Sequence, residues 1–129
     1  METEKQKIKS FTDLVAWQEA HALVLEIYKA TKEFPKEEQF GLTNQLRRAV
    51  VSITSNIAEG FSRNTRKEKA QFYRTALGSL IEVQNQFLIA RDVGYISSEV
   101  FRQIADKTVR VSKLLNGLLK SAGNLMPNT

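Results

Sequence analysis

The chain has 129 residues, no cysteine and a formal net charge of +5. This length is usual for one domain and is sufficient to bury a core without a metal or a disulfide, and the lack of cysteine excludes disulfide and thiol chemistry. With 42% hydrophobic residues and only two prolines, the composition excludes a low-complexity or largely disordered chain.

The start of the chain, METEKQKIKS, is charged and lacks the apolar core of a secretory signal. No apolar run reaches the roughly eighteen residues that a membrane span needs. The sequence therefore predicts one cytoplasmic domain over residues 1–129, with no membrane segment.

An amphipathic helix is predicted from about Asp13 to Lys32, with Thr12 as its N-terminal cap. It ends before Pro35, because the residue that precedes a proline is pushed out of the helical region. Its apolar side chains form two adjacent lines, namely Leu14, Trp17, His21, Val24, Leu25 and Tyr28 on the first and Ala16, Ala20, Leu23 and Ile27 on the second. The position of His21 on an apolar line favours a packed core histidine over a ligand.

Two further helices follow with the same period. The second carries apolar residues at three- and four-residue steps, and Gly60 is predicted to end it in the left-handed conformation. The third begins where Thr65 and Glu68 match a capping box, and it continues to Gly94.

A fourth helix is predicted after a cap at Ser97 or Ser98. Short connections between long helices force antiparallel neighbours, so the sequence predicts an all-α protein, an antiparallel up-down-up-down four-helix bundle. Its core spans about residues 11–120, and the tails 1–10 and 121–129 are expected to fray because they offer little apolar surface. The side chains expected to be largely buried are Leu25, Leu46, Ile53, Ile57, Leu80, Phe87, Ile104, Val111 and Leu115.

The net charge of the chain is concentrated in one segment. Between Arg47 and Arg74 there are seven basic residues and only two acidic ones, whereas the rest of the chain is balanced. The basic residues are Arg47, Arg48, Arg63, Arg66, Lys67, Lys69 and Arg74. This distribution is typical of an electrostatic docking surface, and the alternative is a solvated face that is merely basic.

The second helix also carries a polar stripe, formed by Gln45, Arg48, Ser52, Asn56, Glu59 and Arg63. Asparagine is a weak helix former, and Glu59 lies near the negative end of the helix dipole, so a plain solvent face does not explain the stripe. We expect Glu59 to bind an arginine or the backbone amides near the start of the third helix.

The third helix carries a strip of small and polar residues, Thr75, Gly78, Ser79 and Glu82. A glycine inside a helix costs about 1 kcal/mol, so another helix is expected to approach closely at Gly78. Both polar strips are therefore candidate contacts with another subunit.

The side chains that catalysis or metal binding requires are not grouped in this sequence. A di-metal carboxylate site in a bundle needs Glu-x-x-His pairs, but the single histidine, His21, follows Gln18 at that spacing. Ser52, Ser55 and Ser62 have no imidazole paired with them, and a carboxylate pair of Glu59 and Glu82 is disfavoured, since helix carboxylates are usually surface residues. With no phosphate-binding loop either, we predict no catalytic residue, metal or cofactor.

Three segments resemble a known family. They are FTDLVAWQEA, GLTNQLRRAVVSITSNIAEGFSR from Gly41 to Arg63, and ALGSLIEVQNQF from Ala76. Together they are similar to the 23S ribosomal RNA intervening-sequence proteins, small bacterial four-helix bundles, over about Phe11 to Leu119. The resemblance implies a homopentameric ring with no established enzymatic activity. Its motif positions are Gln45, Arg47, Arg48, Ser52, Asn56, Glu59, Gly60, Arg63, Gly78, Ser79 and Glu82.

Two functions are consistent with these observations. The first is a non-enzymatic oligomeric module that binds RNA or DNA through the basic second and third helices; the family is also similar in architecture to accessory proteins of diversity-generating retroelements, which bind nucleic acid and a reverse transcriptase. The alternative is a structural or protein-interaction scaffold with no nucleic-acid role. The aromatics near the basic cluster, Phe61, Phe72 and Tyr73, give little support for base stacking.

Overall fold

The computed structural model describes residues 7–124, whose regular structure is entirely helical. Four α-helices make up most of it: α1 (Val15–Thr31), α2 (Leu42–Phe61), α3 (Arg66–Asp92) and α4 (Ser98–Asn124). Short 3-10 turns precede α1 at Phe11–Asp13 and connect α1 to α2 at Lys36–Glu38. Within residues 7–124, no helix combines the length and the apolar character that crossing a membrane requires.

The helices pack as the predicted up-down four-helix bundle. Each helix contacts its neighbour in the chain, and α4 closes the bundle against α1. Because consecutive helices are antiparallel, the α1–α2 and α3–α4 loops lie at one end, which we call the loop end. The opposite end, which we call the corner end, holds the short α2–α3 connection, the start of α1 and the end of α4.

The core is formed by one narrow apolar face of each helix. All of the side chains predicted to be buried are buried except Leu25, which is 58% exposed. An amphipathic helix on a bundle buries a single stripe, and α1 uses the line Ala16, Ala20, Leu23 and Ile27 for it. Of the other predicted line, His21, Leu25 and Tyr28 are exposed, whereas Leu14, Trp17 and Val24 are partly buried and pack against the core. The prediction of a core histidine is also wrong, because His21 is exposed and stacks on the Trp17 ring with centroids 4.7 Å apart.

The N-terminal caps differ slightly from those predicted. Ser10, not Thr12, caps the first helical turn, and the Asp13 carboxylate accepts a hydrogen bond from the Ser10 amide in return. Thr65 caps α3 as predicted, accepting a hydrogen bond of 3.1 Å from the Glu68 amide. Ser97 caps α4, because its hydroxyl accepts a hydrogen bond from the amide of Val100. These caps satisfy amides that have no partner within the helix.

Ordered structure reaches further into both predicted tails than is expected from the sequence. Helix α4 runs four residues past residue 120 to Asn124, and Ala122 is buried in it. At the other tail, the Lys9 amide donates a hydrogen bond to Asp13. Residues 1–6 and 125–129 of the predicted tails lie outside the described residues.

Glycine plays a different role at Gly60 from the one predicted. Gly60 is a buried residue within α2, and the left-handed conformation is found instead at Gly94, with φ of 88° after α3. A Cβ at Gly60 would lie 2.7 Å from Cε1 of Tyr73 and 3.0 Å from Cβ of Phe72. Gly60 therefore permits α3 to approach α2 closely. At Gly78 a Cβ would meet nothing within 4 Å, so within residues 7–124 no helix makes the close approach expected there.

The loop end is held by a carboxylate that connects both loops. Glu38 accepts a hydrogen bond of 2.7 Å from the Tyr95 hydroxyl and one of 3.0 Å from the amide of Leu42, the first residue of α2. The Leu42 amide first, and the Tyr95 hydroxyl second, lower the pKa of Glu38 below its usual value. The charged form of Glu38 therefore stabilises the fold.

We expect Gly60→Ala to lower the free energy of unfolding by about 1–3 kcal/mol, because the new methyl group overlaps the Tyr73 ring. The matched control is Gly78→Ala, which adds the same group in open space and should raise the free energy of unfolding by about 0.5–1 kcal/mol. Urea denaturation measures both. An unchanged free energy of unfolding in Gly60→Ala would contradict the close approach of α2 and α3.

We expect Glu38→Gln to be less stable than the wild type at neutral pH. A carboxylate whose pKa is lowered on folding contributes stability above its unfolded pKa, and that contribution disappears as the pH falls through the folded pKa. The difference in melting temperature between variant and wild type should thus shrink below about pH 4. Thermal denaturation against pH measures it, with Glu37→Gln as the neighbouring charge control. A difference that is constant with pH would contradict the role of the Glu38 charge.

Candidate nucleic-acid interface

The seven basic residues of the Arg47–Arg74 segment do not form one patch. An α-helix rises about 1.5 Å per residue, so Arg48 lies about 20 Å along α2 from Phe61, the last residue of the helix, and Arg63 follows that end. Arg47 and Arg48 lie in the first half of α2, towards the loop end. The other five basic residues surround the α2–α3 connection at the corner end.

Arg47 is committed to packing between α1 and α2. Its Nε donates a hydrogen bond of 2.9 Å to the hydroxyl of Thr31, which is buried, and its Nη2 donates to the carbonyl of Tyr28. The guanidinium also lies over the Tyr28 ring, 4.5 Å from its centroid. Arg47 therefore fixes the end of α1 against α2, and the prediction that it contacts nucleic acid is not favoured by this geometry.

Lys69 is likewise bound within the chain. Its Nζ donates a hydrogen bond of 2.7 Å to the carbonyl of Phe61 and a longer one, 3.4 Å, to that of Gly60. The last carbonyls of a helix lack partners within the helix and attract cations. Lys69 on α3 thus serves as the C-terminal cap of α2.

Glu59 has the partner that the sequence predicted. Arg63 donates a hydrogen bond of 3.0 Å to the Glu59 carboxylate one turn away, and its guanidinium covers the Phe72 ring. The two side chains are 41% and 56% exposed, so the ion pair adds little to stability. An exposed pair of this kind leaves Arg63 able to exchange its partner for a phosphate.

Three cations of the corner end project from α3. Arg66 and Lys67 lie in its first turn and Arg74 lies two turns later, and all three side chains are exposed. Lys67 and Arg74 are seven residues apart and so share one face of the helix. Within residues 7–124 neither of these two makes an ion pair.

The predicted polar strips meet each other within one chain. The hydroxyls of Ser52 and Ser79 share a hydrogen bond of 2.8 Å, and Asn56 donates hydrogen bonds to the carbonyl and the hydroxyl of Ser52. Ser79 is buried, and Ser52 and Asn56 are half-buried. These residues, predicted as candidate subunit contacts, therefore form the seam between α2 and α3.

The same seam opens into a shallow polar groove towards the loop end, with a volume of about 340 Å³. Its lining residues are Gln45, Arg48, Ala49 and Ser52 from α2, and Glu82 and Gln86 from α3. Gln86 is absent from the sequence-based prediction, and the signal for it is its position one turn after Glu82. We call this feature the α2–α3 groove.

The carboxylates and serines considered as catalytic candidates do not come together in a reactive site. Glu82 lines the groove beside Arg48, whereas Glu59 lies about 16 Å further along α2, so the two carboxylates do not pair. Ser62 donates a hydrogen bond to the Glu59 carbonyl. Among the described residues no group of three or more histidine, aspartate or glutamate side chains is placed to hold a metal ion.

The fold and the site thus define a small all-α bundle with a cationic corner. The sequence matches the family described as 23S rRNA-intervening sequence protein over residues 12–117, and the chain belongs to this family. Its fold is similar to that of a protein of unknown function from the S23 ribosomal protein family of Bacteroides thetaiotaomicron VPI-5482. That similarity has a TM-score of 0.76 at 22% identity, and it covers 82% of this chain and 96% of the other. No curated protein matches the chain.

We expect Lys69→Met to lower the free energy of unfolding by about 0.5–1 kcal/mol, because the carbonyls at the end of α2 lose their cation. Lys67→Met is the matched control and should change it by less than about 0.5 kcal/mol, since Lys67 is exposed. Urea denaturation compares the two. Equal effects would contradict the distinction between the capping lysine and the exposed lysine.

Proposed function

We propose that the protein is a non-enzymatic oligomeric module that binds the phosphates of RNA or DNA at the corner end of the bundle. The observation that carries the proposal is the exposure of Lys67, Arg66 and Arg74 together on α3, in the segment that holds the whole net charge of the chain. Family membership by itself assigns no activity. A cytoplasmic location likewise stays a prediction.

The electrostatics of the corner end suit phosphate binding. The first turn of α3 presents backbone amides and the positive end of the helix dipole beside the side-chain cations. Arg47 and Lys69 are bound within the chain, whereas Arg63, Lys67 and Arg74 are exposed cations that can contact phosphate, and Arg66 lies beside them. One copy would then contact about three or four phosphates, which corresponds to weak non-specific binding with a Kd on the order of 10⁻⁴ M.

The aromatic residues of the corner end do not favour base stacking. Tyr73 is buried, Lys69 lies over the ring of Phe61, and Arg63 lies over the ring of Phe72. Binding at this end would therefore depend on the charged backbone of the nucleic acid and be largely independent of its sequence.

Oligomerisation is the second part of the proposal, and exposed apolar side chains support it. One surface, on α1 and α2, carries Leu25, Tyr28 and Val51; a second, on α3 and α4, carries Ile81, Leu88 and Val109. Contact between the first surface of one copy and the second surface of the next would be heterologous, and such an interface can close into a ring. A pentamer is the number that the family resemblance implies. A ring would repeat the cationic corner and add avidity.

A scaffold that receives a protein partner is the alternative function. The same exposed apolar surfaces favour it, because large side chains such as Leu25 and Ile81, which are 58% and 62% exposed, are typical of protein contacts. Salt dependence distinguishes the two functions, since phosphate contacts release counterions and apolar contacts do not.

We expect the double substitution Lys67→Glu and Arg74→Glu to weaken binding to a mixed-sequence RNA. The slope of log K against log salt should become shallower by roughly 0.7–0.9 for each lost phosphate contact. The matched control, Lys29→Glu with Lys36→Glu, makes the same change in charge at the loop end. This control should retain most of the salt dependence of the wild type. Fluorescence anisotropy across a salt series measures both.

Two results would overturn this prediction. A wild-type protein without salt-dependent binding at low ionic strength would remove the nucleic-acid function and leave the scaffold in its place. Equal loss in the loop-end control would show that net charge, and not the corner, determines binding.

We expect light scattering at micromolar concentration to show an oligomer, and we expect Leu25→Glu and Ile81→Glu each to dissociate it, because either charge would be buried at the interface. Phe40→Glu is the control, since Phe40 is 87% exposed in the α1–α2 loop, away from both surfaces. A wild-type protein that is monomeric under these conditions would exclude the ring.

A further inference from the structure

The α2–α3 groove has a donor on one wall and acceptors on the other. The α2 wall carries the Arg48 guanidinium, and the α3 wall carries the Glu82 carboxylate and the Gln86 amide. Arg48 and Glu82 are both exposed, and within residues 7–124 neither makes an ion pair, although they line the same groove. At the corner end, by contrast, Arg63 and Glu59 pair directly. The groove therefore keeps a cation and an anion available on opposite sides.

Gln86 adds a hydrogen-bond acceptor without a partner. Its Oε1 is buried and accepts no hydrogen bond from any described residue, and a buried polar group without a partner is unfavourable. Its Nε2 donates to Gln45 at 3.5 Å, the long limit for a hydrogen bond, so this contact is weak. Rotation of the amide towards the groove would lose little and would let Oε1 accept a hydrogen bond from a ligand there.

A ligand that fits these walls must accept hydrogen bonds along one edge and donate them along the adjacent edge. Guanine has this pattern: O6 and N7 accept, a pairing in which arginine is bidentate, and the N1–H and N2–H groups donate. Adenine and cytosine place an acceptor where guanine donates, and uracil offers a single donor between two acceptors. The groove volume of about 340 Å³ admits a planar base.

We infer that the α2–α3 groove binds a guanine base of single-stranded RNA or DNA. Arg48 donates to O6 and N7, Glu82 accepts from N1–H and N2–H, and Gln86 Oε1 accepts the second N2 hydrogen. This inference rests on the proposed function, because the corner end would hold the phosphates of the same strand. Binding in the groove would give the protein a base preference that its corner end lacks. Arg48, predicted from the sequence to contact phosphate, would then recognise a base.

The test compares three short oligonucleotides of equal length at fixed salt, namely an oligouridine, the same strand with two central guanines, and that strand with inosines in their place. The oligouridine reports phosphate binding alone. We expect the guanine strand to bind roughly tenfold more tightly than the oligouridine, in the range of one bidentate base contact. Inosine lacks the N2 amino group and should lose part of this gain.

Glu82→Gln should remove the guanine preference and leave oligouridine binding unchanged relative to Glu99→Gln, which makes the same charge change in the first turn of α4. Salt-dependent binding without a guanine preference would overturn the inference and leave the proposed function standing. A guanine preference that persists in Glu82→Gln would exclude this groove as its source. Absence of binding to all three strands would remove the proposed function and this inference together.

Discussion

The close approach of α2 and α3 is the contact on which the rest of this structure depends. Gly60 lets the Phe72 and Tyr73 side chains reach the α2 backbone, and the hydrogen bond between the Ser52 and Ser79 hydroxyls fixes the register of the two helices about two turns further along. Small and hydroxyl side chains permit the close approach of α2 and α3. Apolar packing alone would not select one register of the two helices. The seam also brings Lys69 to the carbonyls that end α2.

This seam decides which charges of the basic segment remain for a partner. Lys69 is used to cap α2, and Arg47 is used to fix α1 against α2 at the other end of the helix. The exposed cations of this segment lie in two places: Arg63, Lys67 and Arg74 at the corner end, and Arg48 in the groove, about 20 Å along α2 from its last residue. The proposed phosphate and base contacts follow from this separation.

Much of the fold could be predicted from the sequence because the helical period, the caps and the short connections agree with one another. The errors have physical causes. Leu25 and His21 lie on an apolar line that is as regular as the buried one, and periodicity cannot tell which of two adjacent lines a bundle buries. Gly60 occupies a cap-like position in the sequence, and its packing role depends on Tyr73 in another helix. The candidate site was less predictable, since partners such as Thr31 for Arg47 are set by tertiary contacts.

The central claim is that nucleic acid binds at the corner end of the bundle, and ultraviolet cross-linking with peptide mass mapping tests it most directly. A mixed-sequence RNA bound at low salt should cross-link to peptides between Arg63 and Arg74, and added salt should reduce those cross-links. Cross-links confined to the loop end, around residues 32–41 and 93–97, would contradict the account.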